Sequence, residues 1–181
     1  MFRTMVNDKT YTAIPKRFIW AVDMLGLQPS HHVLEIGCGV GLMAEVICNK
    51  LEDGKLVAID KSSFMIEKAK LRNKPFIAAG TAAFLTADFL KADLQRSTFD
   101  IITAFNLNFF RKDPAKVLQR VKQFLKPGGK LFIFFQDPYE ITISAADLIA
   151  EKLSAHSFTV LDTKLKEFSP TSAICVVAVP A

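Results

Sequence analysis

A chain of 181 residues, half of them hydrophobic, can bury a sizeable core without disulfide or metal staples, and this composition excludes a disordered or fibrous polymer. The net charge of +5 comes from scattered lysines and arginines, which read as a solvated surface; they permit an anionic partner but form no basic cluster of the nucleic-acid-binding kind. Cys38, Cys48 and Cys175 are odd in number and lack CxxC spacing, so free thiols in a reducing compartment are expected, with no metal. The apolar runs are too short to span a bilayer, and MFRTMVNDKTYTAIPKR has no apolar core of a signal peptide; a cytoplasmic protein with no membrane partner is expected.

Helical spacing begins at PKRFIWAVDML, with Gly26 as its stop. HVLEI is the first strand, and a helix follows from Gly41 through LMAEVICNKL. KLVAID is the second strand, and residues 62–72 form a helix that Pro75 keeps from continuing. FIAAGTAAF fits either a helical turn or the approach to a strand; FLTAD is the third strand and FDIITAF the fourth. Asp113 and Pro114 open the helix AKVLQRVKQFL, which the run Lys126, Pro127, Gly128, Gly129 ends. KLFIFF is apolar on both faces, as a central strand must be, and a helix follows over residues 141–154. FTVLDTKLKEF and SAICVVAVP are joined by only Ser169, Pro170 and Thr171, too few for a parallel crossover, so they form an antiparallel hairpin. Alternating strands and helices predict an α/β protein with a largely parallel sheet. It is expected as a single domain over residues 1–181, with 1–30 a helical segment able to act as a lid and 31–181 the catalytic core.

VLEIGCGVGLMAEVI carries the chemistry. Gly37, Gly39 and Gly41 stand where strand becomes helix, so a ligand can approach the backbone and amides at the helix start can attract a negative group. Gly39, Gly41 and Ala44 also satisfy the dinucleotide pattern GxGxxA, which keeps a nicotinamide or flavin enzyme in view. Glu35 argues the other way: a carboxylate there repels a diphosphate and favours a sulfonium or ammonium group. Asp60 ends the second strand where a carboxylate can take a ribose diol, and Asp88 follows the third strand, placed to accept from an adenine amino group.

Over nearly its whole length the chain resembles the class I S-adenosylmethionine (SAM)-dependent methyltransferases. VLEIGCGVG, VAIDKSSFMIEKA, FLTADF, FDIITAFN and FLKPGGKLFIFF resemble that family's motifs, in order. The resemblance implies a three-layer Rossmann-like fold with helices on both faces of a seven-stranded sheet, ordered 3-2-1-4-5-7-6 with strand seven antiparallel. It implies SAM as cofactor and S-adenosylhomocysteine as product. Gly37, Cys38, Gly39 and Gly41 would line the methionine and ribose, with Glu35 near the methionine amino group. Asp60 would bind the ribose diol, Lys61 and Met65 would sit beside the adenine, Asp88 and Phe89 on its other side, and Asn106 at the cofactor's edge.

The acceptor side is harder to read. It should meet the loops after strands four and five. Asn106, Leu107, Asn108, Phe109 and Phe110 lack the prolines of base N-methyltransferases, and no cysteine stands where a pyrimidine C5 nucleophile would. Phe109 and Phe110 fit an acceptor pocket or the core. Asn106, Asp137 and Tyr139 are the catalytic candidates, Asp137 as a proton acceptor, and Tyr11 can reach the site from the N-terminal segment. Methyl transfer needs no dedicated base, because the cofactor carries the reactivity. A small-molecule acceptor is expected, with RNA or protein, or a SAM-binding partner subunit without turnover, as alternatives; oligomeric state is not legible.

Overall fold

The computed structural model describes residues 13–94, 98–110, 112–136 and 142–181. Seven strands form one sheet: β1 (His32–Ile36), β2 (Lys55–Asp60), β3 (Ala82–Thr86), β4 (Phe99–Phe105), β5 (Leu125–Gln136), β6 (Phe158–Phe168) and β7 (Thr171–Pro180). Their order is β3-β2-β1-β4-β5-β7-β6. β1 to β5 pair in parallel, whereas β7 runs antiparallel to β5 and β6. The expected sheet is therefore present, terminal hairpin included.

Alternation along the strands sorts the helices into two layers. Val33, Leu56, Ala58, Ile101, Phe132, Phe134, Cys175 and Val177 face α1 (Lys16–Met24), α2 (Leu42–Cys48) and α3 (Ser63–Arg72). Leu34, Ile59, Ile102, Leu131, Ile133, Ile174 and Val176 face α5 (Ala115–Phe124) and α6 (Ile143–Ala155); α4 is the short helix Lys74–Ala78. Burying both faces explains why the central strands read as unbroken apolar runs. The first helix belongs to this packing: Phe18 meets Phe105 at 5.1 Å between ring centres, and Trp20 meets Phe134 at 5.6 Å and Phe168 at 5.8 Å. Both α1 aromatics are partly buried against this layer. Of the 1–30 segment expected to act as a lid, Lys16–Met24 packs on the sheet as α1, and residues 1–12 lie outside the described residues.

Three local details depart from or refine the expected boundaries. FIAAGTAAF divides between α4, with Pro75 in its first turn, and β3. The Lys-Pro-Gly-Gly run does not lie between helix and strand: α5 stops at Phe124, and β5 already pairs Leu125 with Phe99. The register then jumps to Lys130 opposite Ile101, so the four residues form a bulge, with Gly128 at φ +78°. Lys126 Nζ holds both oxygens of Asp100, at 2.9 and 2.8 Å, and Asp100 also accepts from the His32 backbone N–H at 2.7 Å, joining that bulge to the starts of β1 and β4. The final helix begins at Ile143. Among the described residues no helix is long and apolar enough to cross a membrane.

Candidate functional site

Because β1 to β5 are parallel, their carboxyl ends open on one rim, where a cleft of about 460 Å³ lies. Gly37, Asp60, Lys61, Asp88, Phe89 and Asn106 contribute to its walls, joined by Leu107, Asn108 and Phe109 from the loop after β4. Glu35, Cys38, Gly39, Gly41 and Met65 do not line it.

The glycine loop is shaped from within. Gly37 and Cys38 N–H both donate to the Ile59 carbonyl, at 2.8 and 3.0 Å; Gly39 N–H donates to Asp60 Oδ2 at 3.0 Å, and Gly41 N–H to the Cys38 carbonyl at 3.0 Å. The expectation that loop amides attract an anion is therefore not met at these four positions, since their hydrogens are already engaged. Asp60 is the post to which the loop is tied. Its other oxygen accepts from Ser62 N–H at 2.9 Å, and the Ser62 hydroxyl caps α3 by accepting from Met65 N–H at 3.4 Å.

Gly41 answers to packing. It has φ +74°, and a methyl group there would fall 2.5 Å from Asn73 Nδ2 and 3.0 Å from Ala69 Cβ. Asn73, fully buried, donates to the Gly41 carbonyl at 3.0 Å and to the Ala69 carbonyl at 2.9 Å, clamping the loop's end onto α3. The Arg72–Glu45 ion pair, at 3.1 Å, lies beside it. Nothing in the spacing of Asn73 marks it for this role; only the meeting of α2 and α3 does.

Glu35 lies on the sheet face shared with Asp60 and the α1–α2–α3 layer. It is 3% exposed and its Oε2 has no hydrogen-bond partner. Burial, and then the nearby Asp60 charge, push its carboxyl up to about 8. Its register partner across β4 is Thr103, also buried, whose hydroxyl likewise has no partner. Two unsatisfied oxygens side by side in an apolar layer are costly unless a donor reaches them. Thr103 was missed in the sequence because it reads as one more β-branched residue of a strand.

The remaining candidates divide. Asp88 is exposed and its Oδ1 accepts from Leu90 N–H at 2.9 Å. Phe89 is 4% exposed and packs against Phe124, so the cleft wall it forms is backed by the core. Met65 stands on the outer part of α3, 36% exposed. Cys38 is buried, its thiol pushed up by burial and by the Glu35 and Asp60 charges, so it stays protonated and unreactive. Of the two phenylalanines after β4, Phe109 faces the cleft and Phe110 is core. Asn106, at φ +58°, spends its amide on the backbone of Gln136: its Nδ2 donates to the Gln136 carbonyl at 3.0 Å, and its Oδ1 accepts from Gln136 N–H at 2.7 Å. It is a strut between the ends of β4 and β5. Asp137, Tyr139 and Tyr11 lie outside the described residues.

Residues 33–129 match the family model described as "Methyltransferase domain". The uncharacterized methyltransferase YdaC of Bacillus subtilis is 26% identical over 165 residues, covering 88% of each chain. Cycloartenol-C-24-methyltransferase 1 of Oryza sativa subsp. japonica is 30% identical over 119 residues, 64% of this chain; the chain spans 34% of the rice protein's length. Among solved structures, a SAM dependent methyltransferase from Aquifex aeolicus superposes with a TM-score of 0.73 at 20% identity, covering 89% of this chain and 88% of that one, a likeness of fold.

Proposed function

The chain belongs to the methyltransferase-domain family, and we propose that it transfers the S-methyl group of SAM to a small-molecule acceptor. The observation that carries this reading is the glycine loop itself, with four engaged amides and two carboxylates, Glu35 and Asp60, against it. A diphosphate would find few free donors and the repelling charge of Asp60 there, whereas an ammonium, beside which Glu35 gives up its proton more readily, and a ribose diol find acceptors. The unpartnered oxygens of Glu35 and Thr103 fit the methionine ammonium as a missing donor.

In this reading Gly37, Cys38, Gly39 and Gly41 carry the methionine and ribose, and Glu35 faces the ammonium. Asp60 takes the ribose hydroxyls; each of its oxygens already accepts one backbone N–H and keeps a second lone pair. Lys61 and Met65 flank the adenine on one side, Asp88 and Phe89 on the other, while Asn106 holds the far wall. When bound, SAM supplies a methyl carbon activated by its sulfonium, and transfer leaves S-adenosylhomocysteine. The protein's part is to align an acceptor for in-line attack and to keep water out, which Leu107 and Phe109 serve at the cleft mouth. The rice relative is named for a small acceptor, cycloartenol, and the same broad class is proposed here. Three buried free thiols suit a reducing compartment, the cytoplasm.

Calorimetric titration tests the assignment. S-adenosylhomocysteine should bind one to one while NAD, NADP and FAD give no heat. Asp60→Ala should weaken binding by about 1.5–3 kcal/mol, the worth of hydrogen bonds to a charged group. Heat from a dinucleotide and none from S-adenosylhomocysteine would reverse the reading.

A further inference from the structure

A second cleft opens on the same rim, of about 550 Å³, between the start of α1, the end of β5 and the β6–β7 turn. Its volume is that of a small-ligand site. Among its described lining residues are three cations, Lys16, Arg17 and Lys166, against one carboxylate, Glu167. None of the three cations makes an ion pair among the described residues, whereas Lys164, two residues along β6, pairs with Asp162 at 3.2 Å. Lys16 and Arg17 also stand in the first turn of α1, where the helix dipole is already positive; that turn has no acidic residue and no side-chain cap. Positive charge is thus gathered from two separate elements at a place where it repels itself, which a bound anion would relieve. Thr171 adds a hydroxyl, held by Gln136 Nε2 at 2.7 Å. Gln136 is also the residue to which Asn106 is fastened, so one hydrogen-bonded strut links the wall of the cofactor cleft to the wall of this one.

We infer that this second cleft binds an anionic oxygen group, a phosphate ester or a carboxylate, carried by the methyl acceptor, so that the acceptor is a small anion anchored here while its reacting atom reaches the cofactor cleft. The inference rests on the methyltransferase reading and names the substrate class for it. The cations line one pocket rather than running along a stripe, which favours a small anion over a nucleic-acid backbone.

Amide NMR titration of the full chain, saturated with S-adenosylhomocysteine, tests it with phenyl phosphate, benzoate and benzyl alcohol as probes. A charged probe should produce saturable shifts at Lys16, Arg17 and Thr171, and the neutral alcohol none; which charged probe binds more tightly tells phosphate from carboxylate. The exposed double variant Lys16→Gln/Lys166→Gln should weaken that probe by about tenfold or more, from lost charge-assisted hydrogen bonds, with S-adenosylhomocysteine affinity unchanged. Absent shifts, shifts confined to the cofactor cleft, or full binding by the variant would overturn the inference, as would a short RNA that displaces phenyl phosphate at low salt. If S-adenosylhomocysteine itself does not bind, the methyltransferase reading fails; if it binds and no anion does, only this inference fails.

Discussion

The turns after β1 and β4 both need left-handed backbone at the rim of the same cleft, and they obtain it by opposite means. After β1 the positive φ values fall on Gly37, Gly39 and Gly41, and the Ile59 carbonyl and Asp60 carboxylate of β2, with the Asn73 side-chain amide at the end of α3, hold the loop in place. After β4 the positive φ falls on Asn106, which has a side chain and uses it, fastening itself to Gln136 on both sides of its amide. A loop that must let a ligand approach its backbone dispenses with side chains, whereas one that must join two strand ends spends a side chain on doing so. The first solution leaves a mark in composition. The second leaves almost none.

The largest test of that contrast is Gly41→Ala. Left-handed strain and the clash with Asn73 and Ala69 together should cost about 3 kcal/mol in urea unfolding. Gly39→Ala, with nothing within 4 Å of the added methyl, should cost only the backbone strain, about 1–2 kcal/mol. Equal losses would show that packing against α3 is not what Gly41 serves.

A pH-dependent test is the response of Glu35. Its folded pKa lies near 8, above the value of 4.5 for a free carboxyl. The folded state therefore holds a proton that the unfolded state has released, so stability should fall as pH rises from about 4.5 to 8, by at most about 1.4 kcal/mol per unit. Glu35→Gln should flatten that slope in unfolding curves taken across the window, and an unchanged slope would assign it to other groups. The smallest effect belongs to Asn106→Gly. The backbone angle is kept and the paired hydrogen bonds at an exposed site are lost, for about 1 kcal/mol and faster hydrogen exchange at Gln136 N–H.

Several residues of the candidate site were placed before folding because their constraints are local. Glu35, Gly37 and Asp60 lie at strand ends, and a strand's end can be located from where its apolar run stops. The second cleft resisted because its parts are far apart in sequence: Lys16, Gln136 and Lys166 come to line one pocket only when β7 brings the hairpin turn beside β5 and α1 packs across them. Thr103 and Asn73 were invisible for a related reason, since a residue type common in strands or helices acquires a role only from the neighbour that folding supplies.

By itself the sequence determined the alternation of strands and helices, the terminal hairpin and the position of the glycine loop, because hydrophobic period, short connections and glycine placement act over a few residues, whereas the strand order came only from the family resemblance. The tertiary structure alone decided that four loop amides are engaged, that Asn106 braces Gln136, that Phe109 and Phe110 part company, and where unpaired positive charge collects. Those outcomes depend on contacts across dozens of residues, and hydrogen bonds and Coulomb forces of that reach are set by geometry, which no local pattern encodes.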